Sequence, residues 1–226
     1  MIFLFLTAAI TVGIFSGGSY IARTVTETTG TFGTYKLTLN GKEVFKKGNT
    51  EVVIGYETVM DAYHLGLYGF GGFSHWNEEY IKNYKFGGAE FNVGMDIGKS
   101  VIGYFGGGAQ FAWMQSVKYS LGVTHNDKSV SDAPGYLCKS DAPTAVFTHP
   151  FVCAGLRKRY KNYSFELKYR MLFCMTQTVE DAVYQFDKEK SIFQNSMIDK
   201  TKIKPKLSFF TNQILIGVRY CFEGMM

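Results

Sequence analysis

The stretch Ser208-Phe209-Phe210-Thr211-Asn212-Gln213-Ile214-Leu215-Ile216-Gly217-Val218-Arg219-Tyr220-Cys221-Phe222 decides the fold. Successive side chains of a β-strand point to opposite faces, so this segment has two distinct sides. Phe210, Ile214, Ile216, Val218, Tyr220 and Phe222 share one side; Thr211, Gln213, Leu215, Gly217, Arg219 and Cys221 share the other. One side is apolar and the other mixed and polar. In a soluble sheet the apolar side would face a core.

Residues 163–176 show that this cannot be an ordinary core. Tyr163, Phe165, Leu167, Tyr169, Met171, Phe173 and Met175 share one face, and Ser164, Glu166, Lys168, Arg170, Leu172, Cys174 and Thr176 share the other. The second face carries three successive charges. An eight-stranded barrel has an interior just wide enough for side chains, so it could hardly hold the aromatic face. Turning the pattern inside out, apolar outside and polar inside, resolves the conflict. Closing the sheet then satisfies every strand hydrogen bond without water, as a membrane demands.

The whole chain agrees. Its 226 residues suffice for one domain with a real core, and 46% are hydrophobic. No internal run is long and apolar enough for a membrane helix. Twenty Phe, 15 Tyr and 25 Gly against only 4 Pro suit strands, interfacial aromatic girdles and tightly packed barrel interiors.

Alternating segments at 19–28, 50–59, 62–75, 84–97, 101–117, 144–160, 163–178 and 208–222 predict eight antiparallel strands. They are joined by short turns near Met60–Asp61, Gly98–Lys99 and Lys161–Asn162, and by long connections at 29–49, 76–83, 118–143 and 179–207. Short turns on one side and long loops on the other are the layout of an outer-membrane barrel. The expected fold is therefore an all-β, eight-stranded, up-and-down transmembrane barrel. Met1–Gly18 is charge-free and mostly apolar. It reads as a signal peptide cleaved after Gly18, leaving the barrel at 19–226 with the formal net charge of +5 intact. An anchor helix and a buried strand are the alternatives for the same residues.

The layout and the closing Leu215-Ile216-Gly217-Val218-Arg219-Tyr220-Cys221-Phe222 resemble small outer-membrane barrels of the OmpA-like and opacity-protein-like kind. That resemblance implies an assembly signal at Gly217, Tyr220 and Phe222, read by the barrel assembly machinery. It also implies export to a Gram-negative outer membrane. Leu215 departs from the usual polar residue of that signal, and Glu223-Gly224-Met225-Met226 trail beyond the Phe.

Candidate chemistry lies on the inward faces. A two-residue turn at Lys161–Asn162 pairs Tyr160 with Tyr163 and hence Arg157 with Glu166. Lys168, Arg170, Arg219, Glu57 and Glu90 are expected to join them. Opposite charges in a confined lumen must pair to offset desolvation. The expected result is a salt-bridged plug, with a narrow ion path as the alternative. Lys200, Lys202, Lys204 and Lys206 continue the register of Phe210, predicting a basic strip that meets lipopolysaccharide phosphates; a solvated charged arm is the plainer reading.

The histidines give no catalytic constellation. Ser74 and His75 are adjacent strand residues and point to opposite faces. His64 falls near a turn and His125 in a long loop. His149 falls opposite Cys174, two ligands where a structural zinc needs four. No metal or cofactor site is expected, and the spacing of Cys138, Cys153, Cys174 and Cys221 leaves their pairing open. Gly69-Phe70-Gly71-Gly72 and Gly106-Gly107-Gly108 lack the sequel of a phosphate loop and predict close packing around inward aromatics. Basic residues spread over both faces do not suit nucleic acid. The functional expectation is a non-enzymatic surface antigen or adhesin-like barrel acting through its loops, possible host ligands included, with a pore or a lipid-modifying rim hydrolase as alternatives.

Overall fold

The computed structural model describes residues 7–32, 35–60, 62–74, 81–116, 144–173 and 206–222, together with the short segments 122–125, 128–130, 135–137, 177–178, 182–186 and 201–203. Eight long strands form the wall: β1 (Thr7–Phe32), β2 (Tyr35–Met60), β3 (Tyr63–Ser74), β4 (Ile81–Gly98), β5 (Val101–Ser116), β6 (Thr144–Tyr160), β7 (Tyr163–Leu172) and β8 (Lys206–Phe222). Each pairs antiparallel with the next, and β8 pairs with β1 to close the ring.

The stagger of this ring is set by its register. Partners followed from Ile10 run through Tyr56, Leu67, Phe91, Gly107, Val152, Met171 and Asn212, and return to β1 at Tyr20, ten residues further along. With ~3.3 Å per residue and ~4.8 Å between strands, that stagger tilts the strands by about 41° and gives a backbone radius of about 8 Å. Such a lumen admits side chains but no open channel.

The inside-out distribution follows the pleat. Along β7, Phe165 is 57% exposed while its neighbour Glu166 is 2% exposed. Exposed aromatics line both ends of the wall. Tyr63, Tyr160, Tyr163 and Phe222 lie at the short-turn end; Tyr20, Phe73, Trp113 and Phe210 lie towards the loops. Ile14, Ile54, Leu67, Phe105 and Ile216 fill the belt between, an apolar band bounded by two aromatic girdles. Ser100 and Lys161 take left-handed backbone angles, φ 61° and 52°, in two of the short turns.

Inward glycines make room for inward rings. A side chain at Gly66 or Gly55 would collide with Tyr68, at Gly155 with Tyr104, and at Gly217 with Phe15; Gly108 faces Phe151 in the same way. Within the two glycine-rich stretches, Gly72 makes room for Phe86 and Gly108 for Phe151, and Gly88 does the same for Phe70.

The first strand corrects the sequence reading. Ile10–Gly18 pair with Ile214–Phe222 on one side and with Gly48–Tyr56 on the other. A boundary after Gly18 falls inside β1, and removing the residues before it would take away the part of the seam that pairs with Ile214–Phe222. The sequence reading started β1 at 19 and β2 at 50, whereas the structure starts them at Thr7 and Tyr35. A charge-free strand whose inward face is small or aromatic has the composition of a leader, so composition could not separate the two.

Candidate functional site

The candidate site is the charged lumen. Glu51 and Glu57 come from β2, Glu90 from β4, Arg157 and Arg159 from β6, Glu166, Lys168 and Arg170 from β7, and Arg219 from β8. All except the half-buried Arg159 are at most 5% exposed. They are inward because each lies on the buried parity of its strand.

Nearer the short turns the network centres on Glu166. Its Oε2 accepts from Arg157 Nε at 3.0 Å and lies 2.8 Å from Arg219 Nε. Its Oε1 accepts from Arg219 Nη2 at 2.9 Å and from the Tyr104 hydroxyl at 2.5 Å. Glu57 accepts from Arg157 Nη1, from the Tyr68 hydroxyl at 2.6 Å, and from Arg159 Nη2 at 3.2 Å.

Towards the loops the centre is Arg170. It donates to Glu51 at 2.9 Å, to Glu90 at 3.0 Å and to Gln213 at 3.1 Å. Lys168 joins the two halves: its Nζ donates to Glu90 at 3.0 Å and lies 3.9 Å from both Glu51 and Glu166. Rings line the cations as well. Arg170 sits 4.2 Å from the Phe70 centroid, Arg219 4.1 Å from Tyr68, and Lys168 4.8 Å from Phe15. An attraction between cation and ring face adds to each pair where water is excluded.

All seven expected interior residues, Glu57, Glu90, Arg157, Glu166, Lys168, Arg170 and Arg219, meet in this network. The Arg157–Glu166 pairing has the register derived from the turn, with Tyr160 opposite Tyr163. Sequence reasoning missed Glu51, Tyr68, Tyr104 and Arg159. Glu51 lies on the parity of Glu57 and Arg159 on that of Arg157, so counting by twos would have found both. The two tyrosines are aromatics on the polar face, which composition alone assigns to lipid.

Other expectations divide. Tyr220 and Phe222 pack edge to face with centroids 4.8 Å apart, and Gly217 points inward at the seam. Lys206 opens β8 opposite Thr26, but Lys202 belongs to a separate small sheet in which Thr201–Ile203 pairs with Ala182–Tyr184. The basic strip is therefore not one strand: its register does not carry from β8 to Lys202. Lys200 and Lys204 lie outside the described residues, as do His75, Cys138, Cys174 and the side chain of His125. His149 is buried and stacks on Phe147 at 6.2 Å, while His64 Nε2 lies 3.3 Å from Asp96 at the short-turn end. Cys153 and Cys221 are free and buried.

No protein-family model matches the chain, and no curated protein matches it. Among solved structures it is similar to the outer membrane protein OprG from Pseudomonas aeruginosa, at 9% identity and a TM-score of 0.48 over 96% of this chain and 98% of that one. It is also similar to Ail, the attachment invasion locus protein of Yersinia pestis, at 12% identity and a TM-score of 0.40 over 90% and 99%. A third is Neisserial surface protein A, at 9% identity and a TM-score of 0.39 over 92% and 97%. With its closed antiparallel wall, apolar exterior and ion-paired lumen, the chain has the fold of the small eight-stranded outer-membrane barrels.

Proposed function

We propose that this protein is a non-conducting barrel of a Gram-negative outer membrane, with a structural or surface-interaction role carried by its loop side. The observation that supports this reading is the lumen itself. Glu51, Glu90, Glu166, Lys168, Arg170 and Arg219 are at most 2% exposed and ion-paired with one another. A pore of this size would need those charges to face a file of water and ions. Here guanidinium groups span the section and hold the walls together. The network fixes the wall, and the long connections above it are free to vary and to contact surfaces outside.

Lipopolysaccharide phosphates near the loop-side lysines, and ligands on host or neighbouring surfaces, are the partners this reading favours. Delivery by the barrel assembly machinery through the closing strand belongs to it too. The test joins location and conductance. Membrane fractions are run boiled and unboiled, and purified protein is placed in planar bilayers. The reading expects outer-membrane recovery, a faster unboiled band and a silent bilayer. Recovery as a soluble protein without detergent, or stable single-channel steps that change with Glu166→Gln, would overturn it.

A further inference from the structure

The apolar outer surface of the described residues carries an open groove. Between β4 and β7 a groove of about 620 Å³ opens on the outer wall, within the ~300–1,000 Å³ range of ligand pockets. It exists because Gly103 on β5 and Ala154 on β6 stand where neighbouring outward positions carry Ile97, Phe105, Leu156 and Leu167. Tyr169 completes the wall at the loop-ward end, and its hydroxyl is engaged by Asn212 Oδ1 at 2.5 Å, so the lining stays apolar.

The foot of this groove is cationic. Lys158 lies opposite Val101, two residues along β6 from Leu156, and faces outward. The Arg159 amide donates to the Ser100 carbonyl at 2.8 Å, which fastens the β4–β5 turn against the end of β6 and brings Lys99 to the same edge. Lys161, in the adjoining turn, is exposed as well. Asp96 on β4 is turned to His64. An open apolar groove along the wall, with exposed lysines flanking its short-turn end, matches one kind of molecule.

We infer that the groove holds an acyl chain of an anionic phospholipid from the leaflet at the short-turn end, its phosphate met by Lys158 and Lys99. This rests on reading the barrel as membrane-spanning. Each lysine near a lipid headgroup plane favours an anionic lipid, and two together give a preference of roughly 30-fold over a zwitterionic one. Length and apolarity of the slot select the chain; the lysines select the head.

The test is native mass spectrometry of the full chain released from nanodiscs of mixed phosphatidylglycerol and phosphatidylethanolamine. Wild type is expected to retain one phosphatidylglycerol after the bulk lipid shell is stripped. Ala154→Trp, which fills the slot from the outer face, is expected to lose that lipid. Lys99→Gln with Lys158→Gln is expected to keep a lipid but lose the headgroup preference. Ala89→Trp, another outward substitution on β4, serves as the control and should retain it. Equal retention by Ala154→Trp, or a dimer that Ala154→Trp dissociates, would overturn the inference. Failure of the membrane reading shows earlier and differently, as protein that is soluble without detergent and never enters the nanodisc.

Discussion

Phe15 and Gly217 are register partners across the seam that closes the barrel, and the ring of Phe15 occupies the space a side chain at Gly217 would need. The same ring lies 4.8 Å from Lys168 Nζ and 5.2 Å from the Arg219 guanidinium. One aromatic residue from the first strand thus joins the closing strand to the charged network.

Gly217→Val should therefore destabilise the folded barrel by about 1–3 kcal/mol, the usual cost of overpacking a filled interior. Urea unfolding in detergent micelles, followed by gel mobility, measures it. Phe15→Ala placed in the same chain should recover part of the loss. If Gly217→Val unfolds at the wild-type midpoint, the contact at the seam is not real.

Expressing the chain from Ser19 should abolish closure. Leu215–Phe222 and Gly48–Tyr56 would each lose the strand that now lies between them. Unsatisfied strand edges are not tolerated in a bilayer. The refolded product should show no heat-modifiable band in dodecylmaltoside, whereas the full chain should. A compact band from the shortened chain would mean that another segment can serve as the first strand.

Glu166→Ala leaves Arg157 and Arg219 without the carboxylate both now share. Breaking one member out of a buried ion cluster typically costs about 3–5 kcal/mol. Phe165→Ala, its outward neighbour, should cost far less. The comparison needs only equilibrium unfolding of the two variants, and a reversed order would reject the inward assignment of the charged face.

A charge on the outer wall should behave by depth. Leu167→Arg, in the middle of the apolar band, should cost about 2–4 kcal/mol in lipid, and Tyr163→Arg at the girdle about 0–1 kcal/mol. Folding into phosphatidylcholine vesicles reports both. In a water-soluble barrel neither exposed site would be sensitive, so equal and negligible effects would contradict the membrane setting.

The parts of this architecture that could be read beforehand are those where one short segment contains the whole argument. β7 announces itself because five apolar residues alternate with three charges, and β8 because its faces differ as sharply. The inward charges of both strands, and the pairing of Arg157 with Glu166, follow from a two-residue turn and counting. The first half of β1 was hidden because Thr11, Gly13 and Gly17 give its inward face no charge to alternate against. The loop-ward half of β2 was hidden because its Thr- and Lys-containing alternation with β1 continues beyond the apolar belt, where no bilayer demands an apolar face.

From the sequence alone, then, came the pleat: which residues share a face, which face seeks lipid, and how many strands the chain supplies. That information is local, because a β-strand imposes its period of two on every neighbouring pair. Closure is not local. The ten-residue stagger, the seam of Phe15 on Gly217, and the choice by Arg170 of Glu51 and Glu90 from two other strands depend on contacts between residues far apart in the chain, 119 residues for Arg170 and Glu51. Only the closed ring decides them, since a carboxylate's partner across the lumen is fixed by the barrel's circumference and tilt rather than by any residue beside it.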